Sequence, residues 1–307
     1  MINMKRIVIT HDLGLSDEDI KRLKSLGKIT IYDSRPSSSD EWLERSKGAD
    51  IICSGISGLK DGYKDLKNVF ISLPMVGYSY LDKDVLEKNN IKVSNSPGCN
   101  KDAVAEWITA MIINLLRNMT FFINNNNLPK DKAPQATKGL VNRKILILGK
   151  GSIGTRVGEI CEALKMDVDF FKRGDNLLDK TKGQEVIVNC LSANDSSKNL
   201  LNEEFFDSLD KDIFFISVSN NTTYDPDAMF KALDSGKIAR AAIDEGTMPA
   251  GFTEDPYYMK LLNHPKILTT PHIAYNTDYT DELGNKIMID NIESYLEGKP
   301  INLIYND

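Results

Sequence analysis

Residues 145–154 read Ile-Leu-Ile-Leu-Gly-Lys-Gly-Ser-Ile-Gly. The four apolar residues fit a short buried strand, and Gly149, Gly151 and Gly154 follow as G-x-G-x-x-G where a strand should turn into a helix. Ile153, Val157, Ile160, Cys161 and Leu164 then recur at helical spacing, and a second apolar run at 168–171 closes a β-α-β unit. In that context each glycine has a physical reason. The first permits a tight turn, the second lets the backbone approach a pyrophosphate, and the third lets helix pack on strand. The helix start at Ser152 and Ile153 offers unpaired N–H groups to phosphates. Alone, the glycine pattern is weak; inside a β-α-β unit it points to a dinucleotide site.

The rhythm of this unit extends along the chain. Strand-like apolar runs at 7–10, 29–32, 51–53, 69–73, 145–148, 168–171, 186–191, 214–218, 241–243 and 267–269 alternate with helical patterns. Such alternation implies α/β architecture, with parallel sheets covered by helices on both faces. These runs are too many for one sheet of ordinary size, so two doubly wound domains are expected. The junction is placed near Pro97-Gly98. Residues 1–97 with 276–307 then form one discontinuous domain, and 98–275 form the dinucleotide-binding domain. Residues 103–116 are apolar around most of their circumference, as in a helix buried on several sides, between domains or subunits. Residues 124–139 read as a polar loop or arm. An amphipathic stretch at 281–296, with Leu283, Ile287, Ile292 and Leu296 on one face, is expected to leave the second domain and pack on the first.

At 307 residues, with 41% hydrophobic and 27% charged residues, the chain has room for two real cores. Its net charge of −6 argues against nucleic acid as a main partner. The opening run Lys5-Arg6-Ile7-Val8-Ile9 is too short for a signal-peptide core, and no apolar stretch approaches a membrane span. Cys53, Cys99, Cys161 and Cys190 are dispersed, which fits buried thiols in a reducing, cytoplasmic protein without a disulfide framework or a metal motif.

Several ordered segments resemble the D-isomer-specific 2-hydroxyacid dehydrogenase family. They are Met75-Val76-Gly77-Tyr78-Ser79-Tyr80-Leu81-Asp82, Asn95-Ser96-Pro97-Gly98-Cys99-Asn100, Val104-Ala105-Glu106, the glycine loop, Ala239-Arg240-Ala241-Ala242-Ile243-Asp244 and Thr270-Pro271-His272-Ile273-Ala274. The match runs from about Val69 to the C-terminus; the first 68 residues share only the strand-helix rhythm. The resemblance implies two Rossmann-like domains with a cleft between them, a nicotinamide cofactor, a small-molecule substrate and a homodimer built on the cofactor domain. Fold alone does not establish the reaction.

Cofactor choice is read at the end of the second strand of the glycine-loop unit. Lys172 stands where the resembling family carries an aspartate for the ribose hydroxyls, and Arg173 follows it. Two cations favour a 2′-phosphate, hence NADP(H) over NAD(H). The alternative leaves both as surface cations and gives the ribose to Asp175. Lys150 either adds positive field near the pyrophosphate or points to solvent. Leu191-Ser192-Ala193-Asn194 stands where the resembling family has Leu-Pro-Leu-Thr near the cofactor, with Ser192 and Asn194 still able to bond the ribose or nicotinamide side, and Val218, Ser219 and Asp244 complete the expected cofactor contacts, Asp244 by accepting from the nicotinamide amide.

The resemblance implies a histidine acid-base, a glutamate holding it, and an arginine gripping a 2-oxo acid. His272 matches the histidine. Asn220 stands at the arginine position, Asn221 at a glycine, and Pro249 at the glutamate. Glu245 and Glu254 lie near but out of register; a shifted loop at 246–251 would be needed to bring either to His272. Arg240 either supplies a substitute cation or faces solvent or a subunit boundary at a strand start. Val76 and Gly77 suit a substrate carboxylate through their backbone N–H groups, with Ser54-Gly55-Ile56-Ser57 as the opposing loop. Two functions follow. One is an NAD(P)-dependent oxidoreductase like the glyoxylate/hydroxypyruvate (glycerate) reductases, with His272 moving the proton. The other is a catalytically impaired cofactor-binding homologue, a sensor or regulator.

Overall fold

The computed structural model describes residues 4–125, 137–245 and 255–305. Pro249 and Glu254 lie outside the described residues. The chain divides into two compact units, Met1–Asn100 with Asn276–Asp307, and Lys101–Tyr275.

The first unit holds a parallel sheet of β1 (Arg6–Ile9), β2 (Lys28–Ile31), β3 (Ile51–Cys53), β4 (Phe70–Ser72) and β5 (Lys92–Ser94), in the order β2-β1-β3-β4-β5. Helices α1 (Asp17–Leu26), α2 (Ser39–Ser46), α3 (Leu59–Gly62) and α4 (Lys83–Lys88) connect the strands. Two apolar clusters, around Trp42, Ile52 and Ile71 and around Ile7, Ile51 and Ile289, form its core. Strand β5 is absent from the apolar runs above because Val93 is its one apolar residue: Lys92 is exposed, and Ser94, though buried, is polar.

The last helix, α12 (Asp278–Leu296), belongs to this first unit. Its buried stripe keeps only part of the aliphatic face read from sequence: Ile292 is buried and Leu296 packs on the same core. Gly284, Asn285, Met288, Ile289, Asn291 and Ile292 face inward, while Leu283 and Ile287 are half-buried. The reason is close approach to strand ends. A Cβ on Gly284 would lie 2.2 Å from the Pro74 carbonyl oxygen. Asn285 Nδ2 donates to Leu13 O at 2.8 Å and Asn291 Nδ2 to Asn95 O at 2.9 Å, so the amides satisfy carbonyls that a leucine would bury without partners.

The second unit is a six-stranded parallel sheet, ordered β11-β10-β9-β8-β6-β7. Its strands are β6 (Lys144–Leu148), β7 (Asp167–Phe171), β8 (Val186–Asn189), β9 (Ile213–Ser217), β10 (Ile238–Asp244) and β11 (Ile267–Thr270). Helices α5 (Lys101–Arg117) and α7 (Ser152–Ala163) pack together on one face, burying Val104, Ile108 and Ile112 with Ile145, Val157 and Ile216. α6 (Met119–Asn124) follows α5. Helices α8 (Leu177–Thr181), α9 (Glu203–Ser208), α10 (Pro226–Asp234) and α11 (Pro256–Asn263) complete the unit, and Phe205, Met229 and Leu261 help build the other core. The four cysteines are free, and burial pushes the thiols of Cys53 and Cys161 up to about 12. Among the described residues no helix is long and apolar enough to cross a membrane, and no cluster of side chains could hold a metal ion.

Candidate active site

The glycine loop lies where the second sheet reverses its order, between β6 and β8, and ligands of doubly wound sheets bind outside the strand ends at such a point. Gly149 has φ +99°, and a Cβ there would stand 3.0 Å from Cys190 O. A Cβ on Gly154 would sit 2.0 Å from Gly149 O, so only glycine lets α7 close on the turn. Gly151 is the N-cap of α7 with no side chain capping the first turn, and nothing lies within 4 Å of where its Cβ would be. Exposed N–H groups of Ser152 and Ile153 before an open space fit a pyrophosphate.

At the end of β7 the chain turns tightly through Gly174 at φ +98°. Asp175 Oδ2 accepts from Lys172 N at 2.9 Å, so this carboxylate closes its own turn. Lys172 and Arg173 are exposed, with Arg173 Nη2 3.5 Å from Ser196 Oγ. Lys150 stands 4.6 Å over the Phe170 ring, a cation–π contact that draws it across β7. After β8, Asn194 folds on its own loop: Nδ2 donates to Ser192 O at 3.0 Å, and Oδ1 accepts from Ser196 N and Oγ. Ser192 is exposed. Val218 N and Ser219 Oγ both donate to Asn189 O, which turns the Ser219 hydroxyl inward instead of toward a cofactor.

Asp244 is held by the chain itself. It is 5% exposed, and Oδ1 accepts from Thr270 Oγ1 at 2.6 Å and Ile273 N at 2.9 Å, while Oδ2 accepts from Ala274 N at 2.8 Å. The carboxylate at the end of β10 therefore clamps the 270–274 turn after β11. At the apex His272 has φ +53°, its N–H bonds Thr270 O at 3.0 Å, and its ring is exposed beside Tyr275. A non-glycine residue in the left-handed region persists only where its surroundings fix it, and such residues cluster at functional sites.

Asn220 follows β9. Its Oδ1 accepts from Thr222 N at 2.9 Å and caps the 3₁₀ turn Asn221–Thr223. Glu245 turns away from the histidine role offered by its position. It is buried, accepting from Tyr224 Oη at 3.1 Å and from Asn221 N at 3.4 Å, and Tyr257 bonds Tyr224 in turn. Burial pushes its carboxyl up to about 7 against those two hydrogen bonds. Arg240 is no substitute cation: it lies four residues before the end of β10, roughly 13 Å along the strand. Its Nη1 donates to Leu115 O beside a cavity of about 680 Å³ lined by Asn114, Phe121, Leu262 and Lys266.

Residues 109–274 match the family model for the NAD binding domain of D-isomer specific 2-hydroxyacid dehydrogenases. The chain belongs to that family. It is 27% identical over 232 residues to a D-lactate dehydrogenase of Lactiplantibacillus plantarum, covering 68% of this chain and 69% of that protein. It is 26% identical over 297 residues to D-3-phosphoglycerate dehydrogenase of Escherichia coli, covering 88% and 70%. Among solved structures, an acyclic imino acid reductase in complex with NADPH and D-Arg superposes with TM-score 0.82 at 23% identity, over 97% of this chain and 99% of that one. D-2-hydroxyisocaproate dehydrogenase superposes with TM-score 0.79 at 20% identity, over 98% and 100%. The chain thus carries the family's oxidoreductase scaffold and its NAD binding domain.

In the first unit, Val76 O accepts from Asn95 Nδ2 at 2.7 Å, and Gly77 is exposed with open space where a Cβ would be. Ser54 is fully buried and works as a relay rather than as a surface donor, taking a hydrogen bond from Trp42 Nε1 at 2.8 Å. Gly55 abuts the ring of His11. The sequence reading missed Tyr224 and Tyr257 because single tyrosines near apolar helices read as core. It left His11 aside as a residue after a strand, although a histidine after β1 was its available signal.

Proposed function

We propose that this dehydrogenase is an NADP(H)-preferring reductase of small 2-oxo acids, like the glyoxylate/hydroxypyruvate (glycerate) reductases, with His272 as acid-base. The observation carrying this reading is the Asp244 clamp, which holds the exposed His272 ring at φ +53° beyond the sheet end. A bound nicotinamide supplies or takes the hydride at the substrate's second carbon. His272 gives its proton to the oxygen as the carbonyl becomes a hydroxyl, and takes it back in the reverse direction. Asp244 positions the turn. Lys172 and Arg173 take the 2′-phosphate, a role favoured by Asp175 closing its own turn.

Asn220 brings a neutral amide where an arginine would bring charge-assisted bonds of about 1.5–3 kcal/mol each, so KM for 2-oxo acids is high. That substitution, with Asn220 Oδ1 already capping its turn, also favours a second reading: a cofactor-binding homologue with little catalysis. We further read the chain as a homodimer through the second unit, where Ile113, Met119 and Ile123 expose apolar surface near the 680 Å³ cavity.

The test is oxidation of NADPH and NADH with glyoxylate and hydroxypyruvate by wild type, Asn220→Arg and Lys172→Asp. The reading expects wild-type turnover, a 10-fold or greater fall in KM on the order of one charge-assisted bond for Asn220→Arg, and a shift toward NADH for Lys172→Asp. Tight NADPH binding with no turnover in either wild type or Asn220→Arg moves the case to the second reading.

A further inference from the structure

In the second unit a carboxyl is buried where three elements meet. Glu245 follows β10 and is 6% exposed. Its Oε1 accepts from Asn221 N at 3.4 Å, in the 3₁₀ turn Asn221–Thr223 after β9. Its Oε2 accepts from Tyr224 Oη at 3.1 Å, just before α10, and Tyr224 is bonded to Tyr257 on α11. The Asn220–Asn221 peptide is thereby held from both edges. Thr223 N and Oγ1 donate to its carbonyl at 3.0 and 2.9 Å, and Glu245 takes its N–H. The carbonyl edge is well anchored, because Thr223 Oγ1 also accepts from Asn189 Nδ2 at 3.0 Å and Thr223 O accepts from Leu201 N at 3.1 Å. The N–H edge depends on Glu245.

The charged groups that face this carboxyl oppose its ionisation. Asp244 precedes it on β10, and Asp255 caps the start of α11. The lysines of the two packed helices are committed elsewhere: Lys231 of α10 pairs with Glu203, and Lys260 of α11 pairs with Asp227. Tyr224 and Tyr257 stay neutral, because burial pushes both hydroxyls up. The hydrogen bonds from Tyr224 and Asn221 favour the charged form, but burial is the larger effect and favours the neutral one. A carboxylate here needs water that the closed cluster does not admit. The 3.4 Å contact to Asn221 is the longer of its two bonds, so parting it admits water at least loss. The peptide then pivots on its carbonyl edge while the rest of the turn stays in place.

We propose that Glu245 is a proton-operated latch: the neutral carboxyl holds the N–H edge of the Asn220–Asn221 peptide, and the ionised carboxyl favours its release. The proton passes to solvent, and no other covalent bond forms or breaks. Opening that releases a proton is favoured as pH rises. A carboxyl near its ordinary 4.5 in the hydrated, open turn and about 7 in the closed one makes opening grow between those values and level off above them. The moving peptide carries Asn220, so proton concentration near neutrality sets how firmly that residue is held. The latch operates whichever reaction the chain runs.

The experiment follows amide hydrogen exchange by NMR in the full chain from pH 4.5 to about 8.5, corrected for the intrinsic pH dependence of exchange, with the Glu245 carboxyl read by its ¹³C shift. The expected result is protection at Asn221 that falls by up to about tenfold per pH unit and levels off where the ¹³C shift shows Glu245 ionised. Val218, whose N–H bonds Asn189 O, keeps its protection. Glu245→Gln, which cannot ionise, keeps Asn221 protected across the range. Protection at Asn221 that is indifferent to pH in wild type overturns the proposal. So does an equal fall at Val218, or a fall of the same size in Glu245→Gln. If Glu245→Gln does not fold, the two wild-type curves decide. Levelling of the Asn221 curve at the Glu245 ionisation supports the latch, and a displaced or missing ionisation overturns it.

Discussion

At the scale of single residues, the second unit keeps two neighbouring carboxylates for opposite tasks. Asp244 is wrapped in three hydrogen bonds, so its charge organises the His272 turn. Glu245, next along the chain, meets a tyrosine pair in an apolar pocket, and its carboxyl is pushed up to about 7 by burial. A carboxyl raised above its unfolded value of 4.5 stabilises the fold fully below that value. The contribution is lost as pH rises through about 7, where the buried group must charge. The loss is on the order of 3 kcal/mol. Glu245→Gln is neutral at every pH. The difference in unfolding free energy between wild type and this variant, read from urea melts, should therefore shrink or reverse against wild type between pH 5 and 8. A pH-independent difference would show that Glu245 is charged in the fold throughout. The residue roles were only partly legible in the sequence. The position of His272 was, through the segment Thr270-Pro271-His272-Ile273-Ala274 after an apolar run, while its role stays a proposal. The Asp244 clamp and the Glu245 cluster were not, since both arise from hydrogen bonds between residues 21 to 33 apart that meet only in the folded sheet.

At the scale of elements, legibility followed periodicity. β8 and β9 are buried along their whole length, β6 is buried after Lys144, and all three read as near-continuous apolar runs. β5 escaped because two of its three residues, Lys92 and Ser94, are polar. The packing face of α12 was read in part, through Ile292 and Leu296, and otherwise missed because its closest contacts are made by a glycine and two amides. Close approach needs the absence of a side chain, and a search for apolar residues passes over it. Gly284→Ala tests this reading of α12. Its added methyl meets the Pro74 carbonyl at 2.2 Å, which is backbone and cannot swing aside. Overpacking of this kind costs about 1–3 kcal/mol, so the midpoint of urea unfolding should fall clearly, while Leu283→Ala, half-buried, should cost less. The opposite ranking would return the packing face to the aliphatic stripe.

At the scale of the whole molecule, two parallel sheets share one plan: each reverses its order beside its first strand, and each has its polar residues gathered at the strand ends of that reversal. In the second unit the ends carry the glycine loop; in the first they carry His11, Thr10 and Ser54, hydrogen-bonded in a row. The family scaffold was legible because the glycine pattern, strand rhythm and ordered segments agree with each other. The chemistry was less so, because loops decide it, and here the loops put a neutral amide at 220 and a fixed histidine at 272. The central claim is that His272 carries the substrate proton. The most direct measurement is NADPH oxidation with hydroxypyruvate by wild type and His272→Ala, with NADPH binding measured on both. The account predicts wild-type turnover, a loss of roughly 10²–10⁴ in kcat for His272→Ala, and unchanged NADPH affinity. A His272→Ala variant that turns over as fast as wild type, or a wild type that binds NADPH yet never consumes it, would contradict it.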